Sequence, residues 1–117
     1  GVMVKDSKIL LLGITFKENC PDIRNTKIVD IYHTLSEYTK YITVYDPWAN
    51  PDAVMHEYQI PIISDVKSLK FNNYNAIILG VAHKQFLDMK IKDLLADNGV
   101  IYDVKGILDR NIIDGRL

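Results

Sequence analysis

The sequence is poor in cysteine and has no excess of either charge, and both absences narrow the functions open to it. Of its 117 residues, one is cysteine, 14 are basic and 15 are acidic, which gives a formal net charge of -1. A single cysteine excludes an intramolecular disulfide framework and fits a reducing compartment, so we expect a cytoplasmic location. A near-neutral charge argues against binding to nucleic acid, because such domains concentrate lysine and arginine. No Cys/His cluster has the spacing of metal ligands, so no metal site is predicted.

The sequence also lacks long hydrophobic runs. No stretch approaches the ~18 apolar residues that would span a bilayer, and no signal-peptide pattern is present, so no membrane association is expected. The length and the 48% hydrophobic content suit one compact domain over residues 1–117. The chain begins with Gly1 and not with Met, so we expect a piece of a longer protein.

Four short apolar runs are present, at residues 8–13, 42–45, 76–81 and 100–104. Continuous runs, rather than alternating ones, are typical of strands that are covered on both faces. Residues 61–64 form a weaker fifth candidate, and Pro61 favours a position at the sheet edge. The polar tail from Leu108 is expected to wrap the surface.

Helical spacing of apolar residues connects these runs. It predicts a helix over residues 26–38 with Asn25 or Thr26 as N-cap, and a short helix over residues 52–58. It also predicts one turn over residues 65–69 and a helix over residues 85–96. Alternating strands and helices with short connections imply right-handed crossovers. We therefore predict an α/β fold, a Rossmann-like three-layer αβα sandwich with a parallel sheet of about five strands in the order 3-2-1-4-5.

In such a sheet ligands bind beyond the carboxyl ends of the strands, where the strand order reverses. The loop over residues 13–26 follows the first strand, contains only one glycine, and matches neither G-x-G-x-x-G nor a Walker A loop. It carries Lys17 and Arg24 close to a predicted helix N-terminus, which favours a phosphate or pyrophosphate ligand. Lys105 follows the fourth run and could share one crevice with Lys17. The alternative is that both lysines are solvated and that Arg24 pairs with Asp22.

Two further residues, Asp46 and His83, have chemistry that leaves two interpretations open, and Cys20 is also considered. Asp46 either takes the position of the acid that binds a ribose hydroxyl in dinucleotide folds or caps a turn. His83 either contacts a ligand, as donor or general base, or has a structural role next to a helix. Cys20 has no base nearby in the sequence. No catalytic residue is therefore predicted within the chain.

Four motifs together resemble the C-terminal, UDP-binding domain of the UDP-glucose/GDP-mannose dehydrogenase family. The longest, residues 13–27, reads Gly-Ile-Thr-Phe-Lys-Glu-Asn-Cys-Pro-Asp-Ile-Arg-Asn-Thr-Lys. The others are Val44-Tyr45-Asp46-Pro47-Trp48, Val81-Ala82-His83-Lys84-Gln85-Phe86 and Tyr102-Asp103-Val104-Lys105-Gly106-Ile107-Leu108. The resemblance runs from about Lys8 to Leu117. The sequence of residues 18–26 is similar to that of the branch that acts on UDP-N-acetyl-hexosamines (GlcNAc or GalNAc) in capsule and O-antigen synthesis.

The resemblance implies part of an NAD-dependent enzyme that oxidises the C6 alcohol of a UDP-sugar to a uronic acid. It implies that Phe16, Lys17 and Lys105 contact the UDP-sugar and that Arg24 reaches the NAD pyrophosphate across a domain cleft. The NAD-binding domain, the central domain and the catalytic cysteine of this family have no counterpart here, and Cys20 does not match that cysteine. The chain alone is thus expected to be inactive, within a homodimer or larger assembly. The sugar is not determined by the sequence.

A different class of function remains open, namely a stand-alone Rossmann-like nucleotide- or CoA-binding module or a regulatory module. A receiver domain needs an acidic pair after its first strand. Here that position holds Gly13-Ile14-Thr15, which argues against this version of the alternative.

Overall fold

The computed structural model describes residues 4–103 and 115–116. These residues form a three-layer α/β fold around a parallel sheet with the strand order β2-β1-β3-β4-β5. The strands are β1 (Ile9–Leu12), β2 (Ile42–Tyr45), β3 (Tyr74–Leu79), β4 (Leu95–Asp103) and β5 (Gly115–Arg116). The α-helices are α1 (Ile28–Ser36), α2 (Pro51–Tyr58) and α3 (Lys84–Leu87). Single 3₁₀ turns lie at Val4–Asp6, Val66–Ser68 and Ile91–Leu94.

The central strand β1 explains why its sequence is an unbroken apolar run. All four of its residues are buried, because successive side chains of a strand point to opposite faces and both faces are covered. Leu10 and Leu12 pack into one hydrophobic cluster together with Phe86, Ile91 and other side chains. Leu11 packs into a second cluster with residues of α1 and α2. The predicted Rossmann-like fold is confirmed.

The edges of the sheet differ from the prediction. The four long runs lie in the predicted order, but residues 61–64 contribute only one parallel bridge, between Ile63 and Tyr45, and no strand. That bridge does lie beside β2, where the edge strand was expected. The fifth strand is instead β5, which pairs in parallel with β4 at the opposite edge. Part of the tail expected to wrap the surface therefore joins the sheet.

The largest error of the sequence prediction concerns the helix over residues 85–96. Phe86, Ile91 and Leu94 are buried as expected, but α3 ends at Leu87, a 3₁₀ turn follows, and β4 begins at Leu95. Pairing with β3 takes the backbone groups that a helix would have used, so tertiary contacts override local spacing. Asn98, with a φ of 63°, and Gly99 lie in a bulge of β4, where residues 96–99 stand opposite Asn75 alone.

The other helices lie close to their predicted positions. The helix predicted over residues 26–38 is α1, two residues shorter at each end, and neither Asn25 nor Thr26 is its N-cap. Lys27 takes that position, although the Thr26 Oγ1 still accepts a hydrogen bond from the Ile28 amide at 3.2 Å. The helix α2 begins one residue earlier than predicted. In the described part of the chain, no helix has both the length and the apolar character that crossing a bilayer requires.

Candidate functional site

The chain passes from β1 to β2 on one side and later returns to place β3 on the other side of β1, so the strand order reverses at β1. The loops that follow β1 and β3 therefore meet at the carboxyl edge of the sheet. Two glycines allow this meeting. Gly13 has a φ of +94°, and a Cβ placed on it would lie 2.6 Å from the Val81 Cβ. A Cβ on Gly80 would lie 2.7 Å from the Cδ1 of Ile28 in α1. Backbone segments therefore approach here more closely than larger residues allow.

The carboxylate of Asp46 ties the three loops at this edge together. Asp46 is fully buried, and each of its two carboxylate oxygens accepts at least two hydrogen bonds. Oδ2 accepts from the amides of Ile14 (2.7 Å) and Thr15 (3.2 Å) and contacts the Nε2 of His83 (3.0 Å). Oδ1 accepts from the amides of Trp48 (2.7 Å) and Ala49 (3.1 Å). Asp46 thus caps the turn after β2, which is one of the two interpretations that the sequence left open.

The ionisation of Asp46 follows from these contacts. Burial raises the pKa of its carboxyl, but the hydrogen bonds from the His83 ring and from the amides of Ile14 and Trp48 more than offset it. The net pKa lies below its ordinary value of 3.8. The side chain is therefore a buried carboxylate at neutral pH.

His83 is fully buried beside Asp46, and its hydrogen bonds define its tautomer. Its Nδ1 faces the amide N–H of Asn19 at 2.8 Å, and a nitrogen that accepts this bond carries no proton. The proton of the neutral ring therefore lies on Nε2, which is 3.0 Å from both the Asp46 Oδ2 and the Thr15 Oγ1. The Thr15 hydroxyl in turn donates to the Lys17 carbonyl at 3.0 Å. This arrangement supports the structural interpretation of His83, because a buried ring cannot reach a ligand.

The loop after β1 projects its binding candidates into solvent from this buried base. The Phe16 amide donates to the Asp22 carbonyl at 2.6 Å, and this hydrogen bond closes a smaller loop over residues 16–22. The Phe16 side chain is 54% exposed, and Lys17 is exposed as well. The hydroxyl of Tyr58 in α2 donates to the Ile23 carbonyl and holds the second half of the loop.

Arg24 forms a two-pronged ion pair with Asp22, as the alternative interpretation predicted. Its Nε lies 3.0 Å from Oδ1 and its Nη2 lies 3.0 Å from Oδ2. The hydrogen bond from the Arg24 side chain is the main reason that the pKa of Asp22 falls to about 2, and the Arg24 amide adds to it. The Arg24 side chain is nevertheless 83% exposed. Its remaining N–H groups are therefore accessible to an anion.

Two adjoining concavities open at this edge and share Phe16 and Asn25 in their walls. One, of ≈ 320 Å³, is also lined by Asp22 and Arg24. The other, of ≈ 240 Å³, extends from Thr15 to the start of α1 and to Gly80. The structure thus brings Phe16 and Arg24 to one site. Lys17 is beside that site but lines neither concavity, and Lys105 lies outside the described residues.

Other residue types in the described ranges provide no further chemical centre. No group of three or more His, Cys, Asp or Glu side chains that could hold a metal ion occurs within residues 4–103. Cys20 is a partly buried free thiol. The Trp48 Nε1 donates to the Gln85 Oε1 at 3.0 Å, so the indole links the loop after β2 to α3.

Sequence reasoning did not identify the roles of Thr15 and Asn19. Both residues bond to His83 across more than 60 positions of sequence. The only signal in the sequence is that Thr15, Asp46 and His83 each follow the end of a predicted strand. Parallel strands place such positions at one edge, but which side chains meet there depends on the loop conformations.

The chain is similar to known proteins in sequence and in fold. Residues 10–110 match the model of the UDP-glucose/GDP-mannose dehydrogenase family, UDP binding domain. The chain is 43% identical over 120 residues to a UDP-N-acetyl-D-glucosamine 6-dehydrogenase of Salmonella typhi. It is 44% identical over 119 residues to one of Pseudomonas aeruginosa. These matches cover 100% and 99% of this chain but 28% of each relative, so the chain spans just over a quarter of their length.

Solved structures show the same fold at low sequence identity. An NDP-N-acetyl-D-galactosaminuronic acid dehydrogenase from Methanosarcina mazei superposes with a TM-score of 0.78 at 19% identity, over 96% of this chain and 25% of that one. A UDP-D-ManNAc dehydrogenase from Pyrococcus horikoshii gives 0.76 at 16% identity, over 98% and 26%. The predicted resemblance is confirmed, and the chain belongs to the UDP-glucose/GDP-mannose dehydrogenase family, as its UDP-binding domain.

Proposed function

We propose that the chain binds the UDP part of a UDP-sugar at the carboxyl edge of its sheet, within an NAD-dependent UDP-sugar 6-dehydrogenase. The whole protein would oxidise the C6 alcohol of a UDP-hexose or UDP-N-acetylhexosamine to a uronic acid. The observation that carries the proposal is the match of residues 10–110 to a UDP-binding domain. The names of the two bacterial relatives favour UDP-N-acetylglucosamine as the substrate.

Phe16 and Lys17 are the proposed contacts to the UDP-sugar within the described residues. The exposed Phe16 ring lies between the two concavities and offers an apolar face to a base or sugar ring. Lys17 is an exposed ammonium on a long flexible stem, beside a concavity that also borders the first turn of α1. Both the ammonium and the helix N-terminus favour a diphosphate. Lys105 remains a proposed third contact.

Arg24 is the proposed contact to NAD, which other domains of the whole protein would mainly hold. A guanidinium that is paired on one side and exposed on the other fits a pyrophosphate that approaches from outside the domain. Asp22 would then fix the orientation of the guanidinium. NAD would supply the hydride acceptor, whereas the residues of this chain bind and orient. The assembly of the whole protein as a homodimer or larger and its cytoplasmic location stay predictions.

A stand-alone nucleotide- or CoA-binding or regulatory module is the competing proposal. Family membership weighs against it, since the two bacterial relatives carry this segment as 28% of a longer chain. A site that prefers CoA or bare phosphate to UDP would favour the competing proposal.

The test is an NMR titration of the chain with UDP, repeated with NAD, CoA and inorganic phosphate. We expect UDP to shift the amide signals of Phe16 and Lys17 at lower concentration than phosphate does. Lys17→Ala should weaken UDP binding about tenfold, which is the effect of losing one charge-assisted contact. Lys92→Ala is the matched control, because it removes an exposed lysine from the 3₁₀ turn at the amino edge of the sheet.

The outcomes of the titration separate the proposals. Equal binding of UDP by the Lys17 and Lys92 variants would remove Lys17 from the site. Shifts from UDP that match those from phosphate would leave only a general anion site. Arg24→Ala should change the response to NAD more than the response to UDP, and equal changes would argue that Arg24 is structural.

A further inference from the structure

One buried imidazole contacts both ends of the segment that projects Phe16 and Lys17. On one side, the His83 Nε2 lies 3.0 Å from the Thr15 Oγ1, immediately before the segment. On the other side, the His83 Nδ1 accepts from the Asn19 amide at 2.8 Å, immediately after Glu18. Residues 16–18 are exposed, so this ring fixes their two flanking residues while they face solvent.

A second bond strengthens the attachment at Asn19. The Asn19 Oδ1 accepts from the Lys84 amide at 2.9 Å, at the first residue of α3. Asn19 has a φ of 53°, in the left-handed region that asparagine tolerates better than most residues. Asn19 and the start of α3 are thus joined by two reciprocal hydrogen bonds, one from the Asn19 backbone and one to its side chain.

We propose that His83 is a positioning residue that holds residues 16–18 in the conformation that binds UDP. Its ring is fully buried and is held by Asp46, so it acts through the loop and not by contact with a ligand. This inference rests on the proposed function, because it explains why residues 16–18, which contain the proposed UDP contacts, are ordered before the ligand binds.

The expected effect on binding follows from conformational entropy. A segment of three residues that is ordered beforehand loses little freedom when the ligand binds. Each backbone residue that must instead be ordered during binding weakens the affinity. Releasing the segment at Asn19 should therefore raise the Kd for UDP about 10- to 100-fold, whereas the Thr15 end is also held by the hydrogen bond of its amide to Asp46.

Two substitutions of His83 separate the hydrogen bond at its Nδ1 from the contacts at its Nε2. In His83→Asn, the amide oxygen can take the place of Nδ1 and accept from Asn19, whereas the Nε2 contacts to Asp46 and Thr15 are lost. In His83→Gln, the amide nitrogen can take the place of Nε2 and donate to Asp46, whereas the acceptor for Asn19 is lost. His56→Gln is the matched control, because this histidine is exposed in α2.

Two readouts are measured on each variant, the hydrogen exchange of the Asn19 amide and the Kd for UDP. We expect His83→Gln to accelerate exchange at Asn19 and to weaken UDP binding by the factor above. His83→Asn should retain slow exchange and near-normal binding, whatever the two variants do to the free energy of unfolding. If UDP affinity follows that free energy and not the exchange at Asn19, the positioning role is wrong and His83 is only structural.

Asn19→Gly keeps the proposal testable if the His83 variants do not fold. Glycine accepts the left-handed backbone and removes only the bond to Lys84. The bond from the residue 19 amide to the His83 Nδ1 remains, so we expect this amide to keep slow exchange, and exchange at the rate of an unprotected amide would overturn the proposal. The exchange measurement needs no ligand, so it still decides whether the segment is held if wild-type chain fails to bind UDP. That failure by itself would count against the proposed function.

Discussion

Asp46→Asn is the substitution that probes the buried polar centre most directly. It keeps the size of the side chain but turns one acceptor oxygen into an N–H₂ donor. In the wild-type protein, Oδ2 receives three donors and Oδ1 receives two. Whichever way the asparagine amide is oriented, its N–H₂ group must face at least two buried donors.

The cost can be worked out from those donors. A buried donor that loses its acceptor costs about 1–3 kcal/mol, so two of them cost about 2–6 kcal/mol. Since domains of this size have a total stability of about 5–15 kcal/mol, the variant should retain its fold but lose a large share of its stability. His83 cannot relieve the conflict by moving its proton, because its Nδ1 already accepts from Asn19.

Equilibrium unfolding in urea, followed by far-UV circular dichroism, measures this effect. With a typical slope of about 2 kcal/mol per molar, the midpoint should fall by roughly 1–3 M with the slope unchanged. Asp97→Asn, at an exposed residue of β4, is the control and should leave the midpoint near the wild-type value. A shift for Asp46→Asn that is no larger than the control would refute the reasoning.

The dependence on pH gives a second check of the same argument. The pKa of Asp46 is lowered in the folded state, so its stabilising effect is complete above the ordinary value of 3.8. That effect is lost as the pH falls through the folded pKa. The asparagine does not titrate, so the stability gap between wild type and variant should stay constant from pH 7 down to about the ordinary value of 3.8 and narrow below it. A gap that also stays constant below that value would contradict the assignment of a buried carboxylate.

Two further predictions concern the loop after β1. Gly13→Ala should destabilise the fold by about 2–4 kcal/mol in thermal unfolding, because its φ is +94° and the new Cβ would lie 2.6 Å from the Val81 Cβ. Adding Val81→Gly, which removes the clashing Cβ, should recover only part of that loss, and full recovery would show that backbone strain is negligible. Arg24→Ala should raise the pKa of Asp22 from about 2 part of the way to 3.8, since the hydrogen bond from the Arg24 amide remains. An unmoved midpoint in a carboxyl NMR titration would contradict the ion pair.

The arrangement of the sheet could be predicted from local sequence because apolar runs leave little choice. The run that became β1 is buried on both faces, and only a central strand buries every residue in this way. Residues 42–45 became β2 with their predicted bounds. Parallel pairing of β1 with β3 places their carboxyl ends together, at the edge where the sequence predicted the site.

Local pattern failed where a segment's partner is distant. Phe86, Ile91 and Leu94 have helical spacing and are buried, yet the chain leaves the helix after Leu87 so that β4 can pair with β3. The strand β5 is only two residues long, and its place is given by pairing with β4. Nothing in its two residues predicts that partner.

The sequence by itself therefore determined the fold class, the order of the long strands and the loop that carries the binding candidates. The tertiary structure decided the chemistry beneath that loop. Asp46, His83, Thr15 and Asn19 meet through hydrogen bonds that span 31 to 68 positions of sequence. Each residue alone fits several roles, and only the convergence of three loops on one buried imidazole and one buried carboxylate selects among them. Hydrogen bonds depend on distances of a few tenths of an ångström, which the periodicity of a sequence does not encode.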